Sequence, residues 1–393
     1  MTAPKDALAL VLNSGSSSLK FGVFRLAAPE PEPVFRGVLD GIAAGDGKLK
    51  VFDAVGKTVS EDSHRCSSQT EALRHLATVL RALNVPSFVA IGHRIVHGGP
   101  HLVEHQRITP RLMEQLKTAE EFAPLHVPVA LALIRATEAL YPGVAQFACF
   151  DTVFHRTLPE AAARFPLPKK LWDAGIRRYG FHGISCESVL HTLGTVPPRT
   201  IIAHLGNGAS ITAVADGRSV DTSMGLTPTG GIVMGTRSGD VDPGVLLHLL
   251  RTTGADAASL ERLLDKESGL LGISGISSDM RALHAARENA DARLAQEIFC
   301  RTAKKFIAGF AAVLGGLNSL VFSGGIGEHD PVVRAEICEG LEFLGIRLDP
   351  AANQANRAVI SAAESAVAVR VVRTDEEGQI ARHLLRLSGG SER

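Results

Sequence analysis

The sequence carries no excess charge of either sign: 41 Lys and Arg stand against 41 Asp and Glu in 393 residues. That balance removes the electrostatic case for a nucleic-acid or anionic-membrane partner and favours a small-molecule substrate. The five cysteines, Cys66, Cys149, Cys186, Cys300 and Cys338, form no C-x-x-C pair. A scattered, odd set in a chain of this length reads as reduced core thiols in the cytoplasm. No apolar run approaches the roughly 18 residues of a membrane span. The apolar stretch at the N-terminus, Leu8 to Leu12, is too short for a signal h-region, so a soluble, unsecreted protein is expected. Low-complexity segments and long linkers are also missing.

Two catalytic signatures are absent as well. Without G-x-x-x-x-G-K-[ST] the chain is not a P-loop NTPase, and without H-R-D and D-F-G it is not a protein kinase. Any nucleotide is held on another scaffold.

What the chain does have is one layout used twice: an apolar run, a turn of Gly and Ser, and a second apolar run. It occurs at residues 8–24, around Asn13-Ser-Gly15-Ser-Ser-Ser-Leu-Lys20, and at 201–214, around His204-Leu-Gly206-Asn207-Gly208-Ala-Ser210. Both read as hairpins. Small residues at the turn let backbone N–H groups converge, and a concave set of such donors binds anions, phosphate above all. The duplication predicts two related half-domains, each offering a loop to the phosphates of one nucleotide.

At 393 residues the chain is too long for one ordinary core. Residues 27–33, with three prolines, are expected to be loop. Leu73, Leu76, Leu80 and Leu83 recur at helical spacing, and Thr109-Pro110 and Pro128 open two more helices. Strands at 88–91 and 146–150 alternate with these, giving a mixed α/β class. In the second half, helices are expected after Pro243, over 256–265 and over 292–314. A strand at 320–322 runs into a glycine turn, with a helix start after Asp330-Pro331. A C-terminal helix carries Ile380, Leu384 and Leu385 on one face. The expected division is 1–150 with a C-terminal helix about 380–393 in one lobe, and 151–379 in the other.

Arg94 lies just after a strand, beside Gly98-Gly99, where α/β folds bind ligands. His93, His97, His101 and His105 are four apart, yet Gly98-Gly99-Pro100 breaks any helix that would align them, so metal ligation is not expected. Asp151 ends a strand; alone it reads as a helix N-cap. His182 sits between an aromatic and a glycine, which by itself suggests a packed turn. Arg237, a lone arginine in the glycine loop 234–244, is placed to reach outward.

These motifs, from Leu12 to Lys20, His93 to Gly99, Pro124 to His126, Phe150 to Thr152, Arg178 to Gly183, His204 to Ser210, Met234 to Gly239, Ser278 to Arg281, Gly324 to Glu328 and Thr374 to Glu377, run in order almost from end to end. Together they resemble the acetate kinase family, within the sugar kinase, heat-shock ATPase and actin superfamily. The resemblance implies two ribonuclease H-like mixed-sheet lobes with the active site in the interdomain cleft, and ATP-dependent phosphorylation of a short carboxylate to an acyl phosphate and ADP, reversibly. It implies Asn13 and Glu376 for Mg²⁺, with Mn²⁺ possible, and Lys20 near the phosphates. Asp151, Arg94, Arg237, His182 and His126 are the implied catalytic set, with the two arginines meeting on one migrating phosphoryl group. His204, Leu205, Gly206, Asn207 and Gly208 line the phosphates, Asp279, Met280 and Arg281 the adenosine, and Gly325, Ile326, Gly327, Glu328 and His329 the α-phosphate side. Arg94, Val96, Leu125, Phe181 and Pro228 are the implied acyl pocket. A homodimer is implied too.

The chain departs from the family pattern at a few places. Val127-Pro-Val-Ala130 follows His126 where Asn-Pro-Pro-Asn is usual, and Thr229-Gly230 replace Leu-Glu. His329 stands for Asn. Asp375 stands for Asn beside the metal glutamate and adds a negative charge expected to change cation affinity. Acetate is the expected substrate; propionate or another short acid on the same scaffold is the alternative, and a nucleotide-gated binding protein of the heat-shock ATPase type a distant third.

Overall fold

The computed structural model describes residues 7–15, 17–42 and 47–389. Ser16, in the first glycine-serine turn, and residues 390–393 of the expected C-terminal helix lie outside the described residues. The chain divides into two compact units, 1–153 with 375–393, and 154–374. Asp151 and Glu376, which the sequence-based boundary puts in the second lobe, therefore lie in the first unit.

The first unit is built on an eight-stranded sheet ordered β5-β4-β3-β2-β1-β6-β8-β7. Its strands are β1 (Leu8–Ser14), β2 (Ser18–Arg25), β3 (Glu32–Asp40), β4 (Lys48–Asp53), β5 (Thr58–Ser63), β6 (Phe88–Ile95), β7 (Gln106–Arg107) and β8 (Ala145–Phe150). β1 and β2 pair antiparallel, with Asn13 opposite Lys20. β1, β6 and β8 run parallel. β1 is buried along nearly its whole length, which explains its continuous apolar run: both faces of the sheet are covered here. On one face Leu73, Leu76 and Leu80 of helix Gln69–Ala82 and Leu133 of helix Val127–Leu140 join Leu8, Leu10 and Leu12 in one core. On the other lies the C-terminal helix, Glu376–Gly389, with Ile380 and Leu384 fully buried. It approaches so closely that a Cβ on Gly92 of β6 would stand 2.6 Å from Ile380 Cγ2.

The second unit repeats the central pattern. Its sheet is ordered β11-β10-β9-β12-β13, from β9 (Arg199–Leu205), β10 (Ala209–Ala215), β11 (Arg218–Thr222), β12 (Ser319–Ser323) and β13 (Ala368–Val371). An antiparallel β9–β10–β11 meander continues into parallel β12 and β13. In the first unit β1–β2–β3 continues into parallel β6 and β8 in the same way. The duplicated hairpins thus open two copies of one five-stranded mixed sheet, the ribonuclease H-like arrangement. Helix Ala290–Val313 packs in this unit and stops at Gly315 and Gly316, whose φ values of +67° and +128° favour glycine.

Two local expectations change. Pro33 is not loop: Glu32 and Pro33 pair with Arg25 and Phe24 at a bulge in the β2–β3 ladder. β4 reaches only as far as Phe35, so β3 is an edge at Pro33, where a missing N–H costs no ladder bond. The glycine turn after β12 is itself a short helix, Gly324–His329, ahead of helix Pro331–Cys338, which Asp330 caps. The five cysteines are free and buried. Among the described residues no helix is long and apolar enough to cross a membrane.

Candidate active site

In the first unit the carboxyl ends of three adjacent parallel strands carry Asn13 on β1, Arg94 on β6 and Asp151 just past β8. Crevices at such strand ends are where open α/β sheets bind ligands. Arg94 grips Asp151 with two nitrogens, Nε on Oδ1 at 3.1 Å and Nη2 on Oδ2. Its Nη1 donates to Asn13 Oδ1 at 3.2 Å. Asn13 Nδ2 in turn donates to Glu376 Oε2 and Glu377 Oε1, both at 2.8 Å. Asp151, Glu376 and Glu377 thus face a single guanidinium. Burial, opposed by Arg94, pushes Asp151 up to about 6; burial and the charge of Glu376 raise Glu377. Carboxylates held together against their own repulsion are hard oxygen donors of the kind Mg²⁺ and Mn²⁺ take. The chemistry of the site therefore fits the implied divalent cation.

The support is specific. Gln69, the first residue of its helix, donates to the carbonyls of Gly15 and Ser18 at 2.9 and 3.1 Å and so holds the turn after Asn13. Lys20 is exposed on the paired strand. His126 stands at the start of helix Val127–Leu140. Three of the four spaced histidines belong to the framework: His93 Nε2 donates to Gln146 Oε1 at 2.7 Å, while His97 and His105 accept from the Gly99 and Phe150 amides. Burial lowers His93 to about 4, so it is neutral at pH 7. Val96 is half-buried and Leu125 exposed.

In the second unit the turn of the β9–β10 hairpin gathers a second group. His182 adopts φ +56°, ψ +26° at the start of helix Gly183–Leu193, a left-handed conformation uncommon outside glycine. Its Nδ1 lies 3.0 Å from Ser210 Oγ, and its ring stands 4.4 Å from that of His204. A Cβ on Gly208 would stand 3.3 Å from Arg237 Nη1 and 3.4 Å from His182 Nε2, so His182, His204 and Arg237 converge on a bare backbone turn. Leu205 is buried at the end of β9, and Asn207 O accepts from Gly235 N at 3.0 Å, joining the turn to the loop that bears Arg237.

That loop is pinned from behind. Ser238 N donates to Leu264 O, Thr236 Oγ1 to Asp265 O, and Ser268, Leu270 and Leu271 amides donate to the carbonyls of Thr236, Met234 and Gly235. Gly269, at φ +66°, permits the approach; a Cβ there would stand 2.2 Å from Met234 O and 2.8 Å from Arg237 O. Arg237 Nη1 donates to Pro228 O at 3.2 Å. Gly206 and Gly325 are close neighbours, a Gly206 Cβ falling 3.9 Å from Gly325 N. Gly327 O accepts from the fully buried Arg334, and His329 is exposed.

Some expected site residues have other commitments. Glu328 Oε1 accepts from Gly324 N, Thr374 N and Thr374 Oγ1 at 3.0–3.1 Å, a structural clamp on its own loop. Asp279 caps helix Met280–Ala285 and pairs with Arg281, while Met280 is buried. Phe181 is wholly buried and its carbonyl accepts from His155 Nε2 at 2.9 Å. Conversely, Glu377, Gln69, Ser210 and Gly269 belong to the two groups without having been singled out. Glu377 had a signal, being the second acid of the Thr374 to Glu377 motif. Gly269 had none, because its partners lie in a different loop.

Gly269→Ala is expected to push loop 234–237 off helix Gly269–Ser274, costing about 1–3 kcal/mol and exposing the Leu270 and Leu271 amides to hydrogen exchange. Gly254→Ala, at φ +69° with open space around its Cβ, isolates the backbone strain. Equal effects of the two variants on denaturant midpoint and exchange would remove the steric argument.

With this geometry in place, the chain can be set beside known proteins. The model of the Acetokinase family matches residues 8–382. The acetate kinase of Methylocella silvestris is 43% identical over 394 residues, spanning 96% of this chain and 97% of that protein. Among solved structures, the Porphyromonas gingivalis acetate kinase has a TM-score of 0.85 at 38% identity, covering 97% of this chain and all of that one. A propionate kinase from Francisella tularensis has a TM-score of 0.87 at 36% identity, covering 96% and 98%. Matches of this identity over nearly the whole length place the chain in the acetokinase family.

Proposed function

We propose that the protein transfers the γ-phosphoryl group of ATP to acetate, giving acetyl phosphate and ADP, reversibly. The observation that carries this reading, in a chain of this family, is the hydrogen-bonded group Arg94, Asp151, Asn13, Glu376 and Glu377 at the ends of β1, β6 and β8. A carboxylate oxygen of acetate attacks the γ-phosphorus; that O–P bond forms as the bond to the bridging oxygen of ADP breaks. Acetate is ionised at neutral pH, so no proton has to be removed. Asp151, gripped by Arg94, accordingly orients the guanidinium and is not a base. Arg94 binds the acetate carboxylate or the phosphoryl oxygens, with His126 in the same site. Arg237 and His182 neutralise charge on the equatorial oxygens in the transition state.

A divalent cation, Mg²⁺ with Mn²⁺ as a substitute, supplies charge neutralisation at the phosphates, and Asn13, Glu376 and Glu377 would hold it. Lys20 and the turn His204 to Gly208 take the phosphates, residues 279–281 the adenosine, and Gly325 to His329 the α-phosphate side through backbone groups, since the Glu328 carboxylate is committed. Val96, Leu125 and Pro228, backed by Phe181, receive the methyl group. Propionate is the second reading, favoured by the likeness to a propionate kinase. One methylene changes pocket binding by only about 1–3 kcal/mol.

Trapping of acetyl phosphate as the hydroxamate, with kcat/KM across acetate, propionate and butyrate, tests the reading. Slow ATP hydrolysis indifferent to acetate would replace it with a nucleotide-gated binding protein. In the same assay Arg237→Ala is expected to retain nucleotide binding and lose about 10³-fold or more in kcat; near-normal turnover would remove the role.

Burial raises Asp151 above the ordinary carboxylate value, so its ionised form is lost as pH falls through about 6. kcat/KM should therefore decline on the acid side with an apparent pKa near 6, above the range of a free carboxylic acid substrate at about 4–5. An acid limb near 4 would contradict this.

The reading includes a cytoplasmic location, supported by five free thiols, and a homodimer. Helix Pro243–Thr252 buries none of its side chains and leaves Val245, Leu247 and Leu250 exposed, an apolar surface that a second copy would cover. Sedimentation at twice the chain mass is expected, and a monomer at micromolar concentration would refute it.

A further inference from the structure

Three carboxylates stand in a row where the C-terminal helix begins: Asp375, Glu376 and Glu377. Glu376 and Glu377 are bound by the Asn13 amide. Asp375 is turned to a different task. Its Oδ1 accepts from Gly378 N at 3.0 Å, capping the helix. Both its oxygens are gripped in parallel by Arg36 of β3, Nη2 on Oδ2 at 3.0 Å and Nη1 on Oδ1. The Arg36 guanidinium lies 5.1 Å from the centre of the Phe24 ring, which fixes its plane. Burial opposes the Asp375 charge, but the hydrogen bond and charge of Arg36, with the Gly378 amide, outweigh it and hold the carboxyl below its usual range. Glu377 moves the opposite way, raised by burial and by Glu376.

The two acids thus have different partners, Arg36 and the Gly378 amide for Asp375 and the Asn13 amide for Glu377. The extra negative charge that Asp375 brings to this position is paired locally with the Arg36 guanidinium. We propose that Arg36 is a positioning residue for the divalent-cation site. Acting through Asp375, it balances that carboxylate and fixes the first helical turn, and so sets how strongly Glu376, Glu377 and Asn13 take a cation. This inference rests on the reading of that group as a cation site for phosphoryl transfer.

The arrangement predicts a reciprocal charge effect. Asp375→Asn keeps an oxygen for the Gly378 amide but leaves the Arg36 cation uncancelled near Glu377. Arg36→Gln/Asp375→Asn removes both charges together. Binding of Mn²⁺ alone to the full chain, read from the resonance of free Mn²⁺ at low salt, is expected to weaken about ten-fold in Asp375→Asn. In the double variant it should recover to within about three-fold of wild type. A purely structural clamp would leave the double variant as weak as the single one. That result overturns the proposal, as does unchanged Mn²⁺ binding in Asp375→Asn or no Mn²⁺ binding by the wild type. Acetyl phosphate formation by the wild type is measured on the same preparations. If it is absent while the Mn²⁺ pattern holds, the proposed reaction fails and the charge balance stands; if it is present while the variants bind alike, the reverse is true.

Discussion

The amide of Asn13 holds the first unit's site together. It has one acceptor and two donor hydrogens, and all are used: the oxygen takes Arg94, and the nitrogen meets Glu376 and Glu377. A neutral group that binds a guanidinium on one side and two carboxylates on the other lets opposite charges sit close without collapsing into one ion pair. Arg94 can then devote two further nitrogens to Asp151. An aspartate at this position would have no donors for the two glutamates, and an alanine would leave them facing each other across a buried gap.

The second unit reaches order by other means. Its turn at Gly206 to Gly208 closes through a Gly206 N–H to Gly208 O hydrogen bond and is held to the 234–239 loop by the Gly235 amide on Asn207 O, that loop being itself anchored on 264–271. Backbone donors fixed in this way need no rearrangement when charge develops on a ligand. The left-handed His182 fits the same pattern, strain held in place by Ser210 and the packed helix behind it.

Much of this was legible in the residues. The duplicated hairpins, the helix starts at Thr109-Pro110 and Asp330-Pro331, and the strand-end positions of Asn13, Arg94 and Asp151 follow from local pattern alone. Strands β3 to β5 were not, since their residues are mostly half-buried or exposed and carry no strong alternation. Contacts across long separations were invisible too. Arg36 and Asp375 lie 339 positions apart, and no local rule connects a strand arginine to a helix cap that distant. Glu328 looked like a ligand residue for the same reason: its direction depends on Thr374, which pattern reading cannot place beside it.

The C-terminal helix gives the first unit both Glu376 and the apolar ridge that closes over Gly92. On the ribosome, that ridge emerges only after the entire second unit has been made. Until then one side of the central sheet, including Gly92 and its flanks, has no cover, and the nascent chain carries an open hydrophobic surface through more than half of its synthesis. The second unit, contiguous in sequence, is under no such delay. Vectorial synthesis therefore favours an order in which the later-encoded unit matures first, and the earlier-encoded one waits on the final helix.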